Sequence, residues 1–95
     1  MSISEKFSIK ILIADDHEIV RQGLKTILSE HSDLEVVAEA NNGNEVLKII
    51  QKTKVDLVLL DLDMPEKHGL DTLIELKKNH PKLPVIILSI FPEDH

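Results

Sequence analysis

The chain is 95 residues long and is read as a single domain over residues 1–95, with a formal charge of −6 that argues against a nucleic-acid-binding surface of clustered Lys and Arg. It has no cysteine, which excludes a disulfide framework and a thiolate zinc site, and its only aromatic residues are Phe7 and Phe91, so the core must be built from Ile, Leu and Val. No apolar run approaches the roughly 20 residues of a membrane span, and the stretch MSISEKFSIK lacks the apolar centre of a signal peptide, so the expected location is cytoplasmic with no membrane partner.

The first apolar run is IKILIA, Ile9 to Ala14, short enough for a strand. Ile19, Val20, Leu24, Ile27 and Leu28 then fall on one stripe of a helix from about His17 to Glu30. LEVVAEA, Leu34 to Ala40, is less apolar and reads as an edge strand. The turn signal Asn41-Asn42-Gly43 follows, and Val46, Leu47 and Ile50 mark a helix over about Asn44 to Lys52. VDLVLLDL, Val55 to Leu62, and LPVIILSI, Leu83 to Ile90, are nearly continuous apolar runs, the pattern of parallel strands covered on both faces. Between them Leu70, Leu73 and Ile74 mark a third helix, closed by Asn79-His80-Pro81. The order β-α-β-α-β-α-β predicts an α/β fold with a parallel sheet.

Ligand crevices in such sheets form outside the carboxyl ends of the strands. Here the first strand runs into Asp15-Asp16, the third into Asp61, and the last ends at Ser89. If the first and third strands are neighbours, three carboxylates and a hydroxyl converge. Like charges at close range disfavour ionisation, and a hard divalent cation with oxygen ligands removes the conflict. The same ion would neutralise charge on a transferring phosphoryl group, and a carboxylate can be its acceptor. The plainer alternative is that Asp16 caps the helix near His17 and that Asp61 is an ordinary loop residue.

The segments ILIADDHEIVRQGL, LEVVAEANNGNEVL, DLVLLDLDMPEKHGLD and PVIILS, in this order and spacing, resemble the receiver domain of two-component response regulators, with a texture similar to the LuxR-type (NarL/FixJ) subfamily. The resemblance implies a doubly wound, flavodoxin-like sheet of order 2-1-3-4-5. It implies Asp61 as phosphoacceptor, and Asp15 and Asp16 as the pair that holds Mg²⁺ with Asp61. Asp63 would contribute its backbone carbonyl, and Ser89 would be the switch hydroxyl on the phosphoryl group. Met64, Pro65 and Gly69 match the loop that shapes the pocket wall. The implied partner is a sensor histidine kinase, and the implied parent protein is a DNA-binding transcriptional regulator. The domain would assist its own phosphorylation and dephosphorylation without being a conventional enzyme. His17 reads as helix entry, Arg21 as a helix-surface residue pairing locally, and Lys67, His68 and His80 as exposed loop residues.

The sequence departs from the full family pattern after the fourth strand. Residues for the last strand and last two helices are lacking, and no residue aligns with the family's conserved lysine. An open apolar edge at the last strand predicts self-association or swapping of elements between copies. No direct nucleic-acid binding is expected of this chain. Two alternatives stand beside the leading reading. One is a truncated or degenerate receiver acting only as an interaction module. The other is a haloacid-dehalogenase-like phosphatase, suggested by Asp61-Leu62-Asp63; that motif belongs on a first strand and leaves Asp15-Asp16 unexplained.

Overall fold

The computed structural model describes residues 7–64 and 69–88. The elements run β1 (Ile9–Ala14), α1 (Glu18–Leu28), β2 (Leu34–Ala40), α2 (Gly43–Lys52), β3 (Leu57–Asp61), α3 (Gly69–Asn79) and β4 (Val85–Leu88). All strand pairs are parallel, and the order is β2-β1-β3-β4, as the sequence predicts for the first four strands. A bulge between Ile11 and Leu12 leaves Val37 of β2 without an opposite residue.

Successive residues of β1 alternate between two cores, as the period of a strand requires. Leu12 and Ala14 join Val58 and Leu60 of β3 in a cluster closed by Val46 of α2 and Leu76 of α3. Ile11 and Ile13 join Leu59 on the opposite face, where Leu24 and Leu28 of α1 pack against them. The sheet is therefore wound on both faces. Leu12, Leu60 and Leu76 are fully enclosed, each contributing about 2–3 kcal/mol of burial.

Two of the predicted helical stripes are corrected. In α1 no residue is fully buried, and Ile19 is 81% and Ile27 58% exposed, so only part of the apolar stripe meets the sheet. In α3 the buried side is Gly69, Thr72 and Leu76, while Leu70 and Ile74 face outward. In both helices the apolar residues spread over about half the circumference, a band wide enough that periodicity leaves the rotation about the axis open and contact with the sheet sets it. The third strand is also shorter than the Val55–Leu62 run. Asp56 leaves the ladder and accepts from Lys10 N–H through its carboxylate at 2.9 Å, while its own N–H donates to the Lys10 carbonyl at 2.7 Å.

The helix α2 begins one residue before the predicted Asn44. Asn42 is its cap, accepting from Glu45 N–H at 2.9 Å, and Glu45 reaches back to Asn41 N–H at 2.8 Å. This reciprocal arrangement satisfies two amides at the helix entry and closes the loop after β2. No helix among the described residues is long and apolar enough to cross a membrane.

Candidate functional site

The register of β1 against β3 decides where the acids meet. Ala14 lies opposite Leu60, so Asp15 and Asp61 follow side by side at the carboxyl edge of the sheet. Asp15 continues the ladder on its other side, donating its N–H to the Ala40 carbonyl at 3.1 Å. Its side chain is almost fully buried, and its Oδ1 accepts from His17 N–H at 2.9 Å, a local turn that reverses the chain into α1. The N-cap of α1 is His17, whose side chain makes no cap bond to the helix, so the capping alternative for Asp16 is not what the structure adopts.

Asp15, Asp16, His17 and Asp61 each offer a ligand atom, and these four atoms lie within 4.8 Å of one another. His17 Nδ1 is 3.0 Å from Asp15 Oδ1 and 3.1 Å from Asp16 Oδ1. The second approach lacks hydrogen-bond geometry: Asp16 Oδ1 is buried with no hydrogen-bond partner among the described residues. Asp61 is half-buried, and its Oδ1 accepts from Asp63 N–H at 3.0 Å.

The electrostatics follow from this crowding. Burial pushes the Asp61 carboxyl above the ordinary carboxylate value, and the charges of Asp15, Asp16 and Asp63 push the same way against the stabilising Asp63 N–H. His17 is raised, first by its hydrogen bond to Asp15 and then by the charge of Asp16. A buried carboxylate oxygen without a donor beside two further carboxylates is a costly arrangement in the absence of a cation. The donor set is mostly carboxylate oxygen and fits a hard divalent ion.

Asp15, Asp16 and Asp61 are thus brought together, and Asp63 adjoins them through its backbone. Met64 turns inward into the core shared with Leu60 and Leu76. Gly69 begins α3 against the strand end: a Cβ there would collide with Leu62 Cα and stand 2.6 Å from the Asp61 carbonyl oxygen, so no other residue fits without moving that backbone. Its N–H donates to the Leu62 carbonyl at 3.2 Å. His80 is exposed, as expected. Pro65, Lys67, His68 and Ser89 lie outside the described residues.

Two readings of single residues change. His17 turns into the acidic cluster instead of merely opening the helix. Arg21 is not a surface residue pairing locally. Its side chain is only 13% exposed; it donates through Nη1 to the Asp15 carbonyl at 2.6 Å and to Asn41 Oδ1 at 2.8 Å, and through Nε to Glu39 Oε1 at 2.8 Å. It clamps the loops leaving β1 and β2, holding the backbone from which Asp15 and Asp16 project. Glu39 also pairs with Lys25 at 2.7 Å, and Lys25 first, then Arg21, hold its carboxyl below the usual range. The available signal was the spacing of Arg21 and Lys25 one turn apart, which presents two cations on one side of a helix.

Comparison with known proteins identifies the family and the fold. The family model described as the response regulator receiver domain matches residues 11–95. The chain is similar to the transcriptional regulatory protein YhcZ of Bacillus subtilis, 43% identical over 84 residues that cover 88% of this chain and 39% of that protein. It is also similar to the response regulator protein VraR of Staphylococcus aureus, 41% identical over 87 residues, covering 92% of this chain and 42% of that protein. Among solved structures, the RcsB response regulator of Salmonella typhimurium superposes with a TM-score of 0.84 at 26% identity, covering 90% of this chain and 44% of that one. The chain spans about two fifths of the length of the curated relatives it matches.

Proposed function

Because the chain belongs to the response regulator receiver domain family, we propose that it receives a phosphoryl group on Asp61 from the phosphohistidine of a sensor kinase. The observation that carries this reading is the meeting of Asp15, Asp16 and Asp61 at one edge of the sheet, with ligand atoms inside 4.8 Å. A protein containing this receiver would use the phosphorylated state to regulate transcription, the activity named for its curated relatives.

Asp15, Asp16 and Asp61, with the backbone carbonyl of Asp63, would hold Mg²⁺, which supplies neutralisation of charge on the carboxylates and on the transferring phosphoryl oxygens. The chain's own part begins with Asp61. One of its carboxylate oxygens forms the new bond to phosphorus while the bond from phosphorus to the donor imidazole nitrogen breaks. The imidazole leaves with that electron pair and takes a proton from solvent, and an aspartyl phosphate remains. The Asp63 N–H on Asp61 Oδ1 restrains the carboxylate's rotation, which favours transfer in one orientation. Arg21 holds the Asp15 carbonyl and so the loop that carries both metal-side acids. Ser89, next in sequence after β4, is assigned the switch hydroxyl, and Met64, Pro65 and Gly69 the loop beside the acceptor.

The test is incubation with Mg²⁺ and a small phosphodonor such as acetyl phosphate, followed by intact-mass measurement. One added phosphoryl group is expected on the natural sequence and none on Asp61→Asn. Equal gain by both proteins, or no gain by either, overturns the assignment.

A further inference from the structure

We propose that His17 is a nitrogen ligand of the acidic site and makes it discriminate among divalent cations, favouring imidazole-binding ions such as Co²⁺, Ni²⁺ and Zn²⁺ beyond what the carboxylates alone would give. The inference rests on reading Asp15, Asp16 and Asp61 as a cation site.

The geometry comes first. A six-coordinate ion with ligands at the short distances of a small divalent cation spaces neighbouring ligand atoms about 3 Å apart. His17 Nδ1 stands 3.0 Å from Asp15 Oδ1 and 3.1 Å from Asp16 Oδ1, so it occupies a vertex next to both carboxylates. The ring is held there by its own Nδ1 hydrogen bond to Asp15 Oδ1 and by the backbone. His17 is extended, at φ −104° and ψ 113°, and its N–H is bonded to Asp15 Oδ1, which folds the residue back toward the acids.

The second observation is independent of that spacing. Asp16 Oδ1 is buried and accepts no hydrogen bond among the described residues, although Nδ1, bonded to Asp15 Oδ1, is its near neighbour. The two atoms face one another without a donor aligned between them. A cation that takes the place of the Nδ1–Asp15 hydrogen bond would meet the imidazole lone pair and the Asp16 oxygen together, releasing any proton they hold. The remaining side of the imidazole is open, since 64% of the His17 side chain is exposed, and this leaves the second nitrogen to solvent.

The chemistry then separates the ions. Imidazole nitrogen adds little for Mg²⁺, which prefers carboxylate, carbonyl and water oxygen, but it raises affinity for later first-row ions. The mixed set of three carboxylates and one imidazole therefore binds Co²⁺ more strongly through His17 and binds Mg²⁺ nearly as well without it.

The experiment titrates the full chain, His17→Gln, His17→Ala and Asp16→Asn with Co²⁺ and separately with Mg²⁺ by calorimetry, and records proton spectra of the Co²⁺ forms. The natural sequence should show a strongly shifted imidazole N–H resonance that disappears in deuterated solvent and in both His17 variants. Outer-sphere partners of metal sites are commonly worth 10–100-fold, so loss of a direct ligand should weaken Co²⁺ binding by at least about tenfold while Mg²⁺ changes by less than about twofold. If both ions bind in an Asp16-dependent way but the resonance and the Co²⁺ affinity survive in His17→Gln and His17→Ala, the His17 inference is overturned and the cation site stands. If neither ion binds the natural sequence, or Asp16→Asn binds both unchanged, the cation site and this inference fail together.

Discussion

The two ends of the same sheet handle acidic side chains in opposite ways. At the amino edge, Asp56 accepts from Lys10 N–H at 2.9 Å, its own N–H meets the Lys10 carbonyl, and Lys54 stands 3.8 Å away. That carboxylate closes a ladder and stabilises the fold. At the carboxyl edge, three carboxylates crowd together, one oxygen has no hydrogen-bond partner among the described residues, and Asp61 is pushed toward its neutral form. Burial and repulsion at this edge weigh against the ionised form of Asp61. The same residue type thus closes a strand pair at one edge and crowds with its own kind at the other, where among the described residues Asp16 Oδ1 has no donor in place.

The contrast can be broken most forcefully at Gly69. Gly69→Ala places a methyl group against the Leu62 and Asp61 backbone, and overpacking of this kind should cost about 3 kcal/mol in urea unfolding and weaken cation binding at the carboxyl edge. A variant as stable as the natural sequence would show that this approach is not rigid. Next in size is Asp56→Ala, which leaves Lys10 N–H without its acceptor and should destabilise by about 1–2 kcal/mol while leaving phosphoryl uptake intact.

Asp61→Asn should do the reverse, raising stability in cation-free buffer by on the order of 0.5 kcal/mol, the scale of partly exposed charge interactions. The pH dependence gives its sign. A carboxyl raised in the fold from 3.8 contributes stability that is fully present below that value and is lost as pH rises through its folded pKa, so the gain in Asp61→Asn should vanish in acid. Added Mg²⁺ should stabilise the natural sequence more than the variant.

The smallest effect is expected at Glu39, the acid beside the site that does have cations. Its carboxyl is lowered from 4.5, so its contribution is present above 4.5 and is lost as pH falls through the folded value. Glu39→Gln should remove a few tenths of a kcal/mol at pH 7 and flatten that part of the acid limb, less so at high salt because the pair with Lys25 is partly exposed. Thermal unfolding at pH 3 and pH 7 reads the difference.

Much of this was legible in residue order. Ile9–Ala14 and Leu34–Ala40 are strands where the apolar runs lie, because short runs rich in branched residues suit a sheet better than a helix. Asp15, Asp16 and Asp61 could be paired from their positions at strand ends, given adjacent first and third strands. Other features were not legible. Arg21 looks like any charged residue in an amphipathic helix, and its bonds to Asp15, Asn41 and Glu39 exist only once α1 crosses the ends of β1 and β2. Thr72 is buried while Ile74 is exposed, an inversion that side-chain polarity argues against and that follows from the rotation of α3 on the sheet.

By itself, then, the sequence determined which segments are strands and helices, that the sheet is parallel, and which acidic residues stand at its carboxyl edge, because hydrophobic period and turn chemistry are local properties of the chain. Only the tertiary structure decided the turn of each helix about its axis, the inward reach of Arg21 and the approach of His17 to the carboxylates. Those depend on contacts between residues distant in sequence or on loop geometry set by such contacts, and neighbouring side chains along the chain do not encode them.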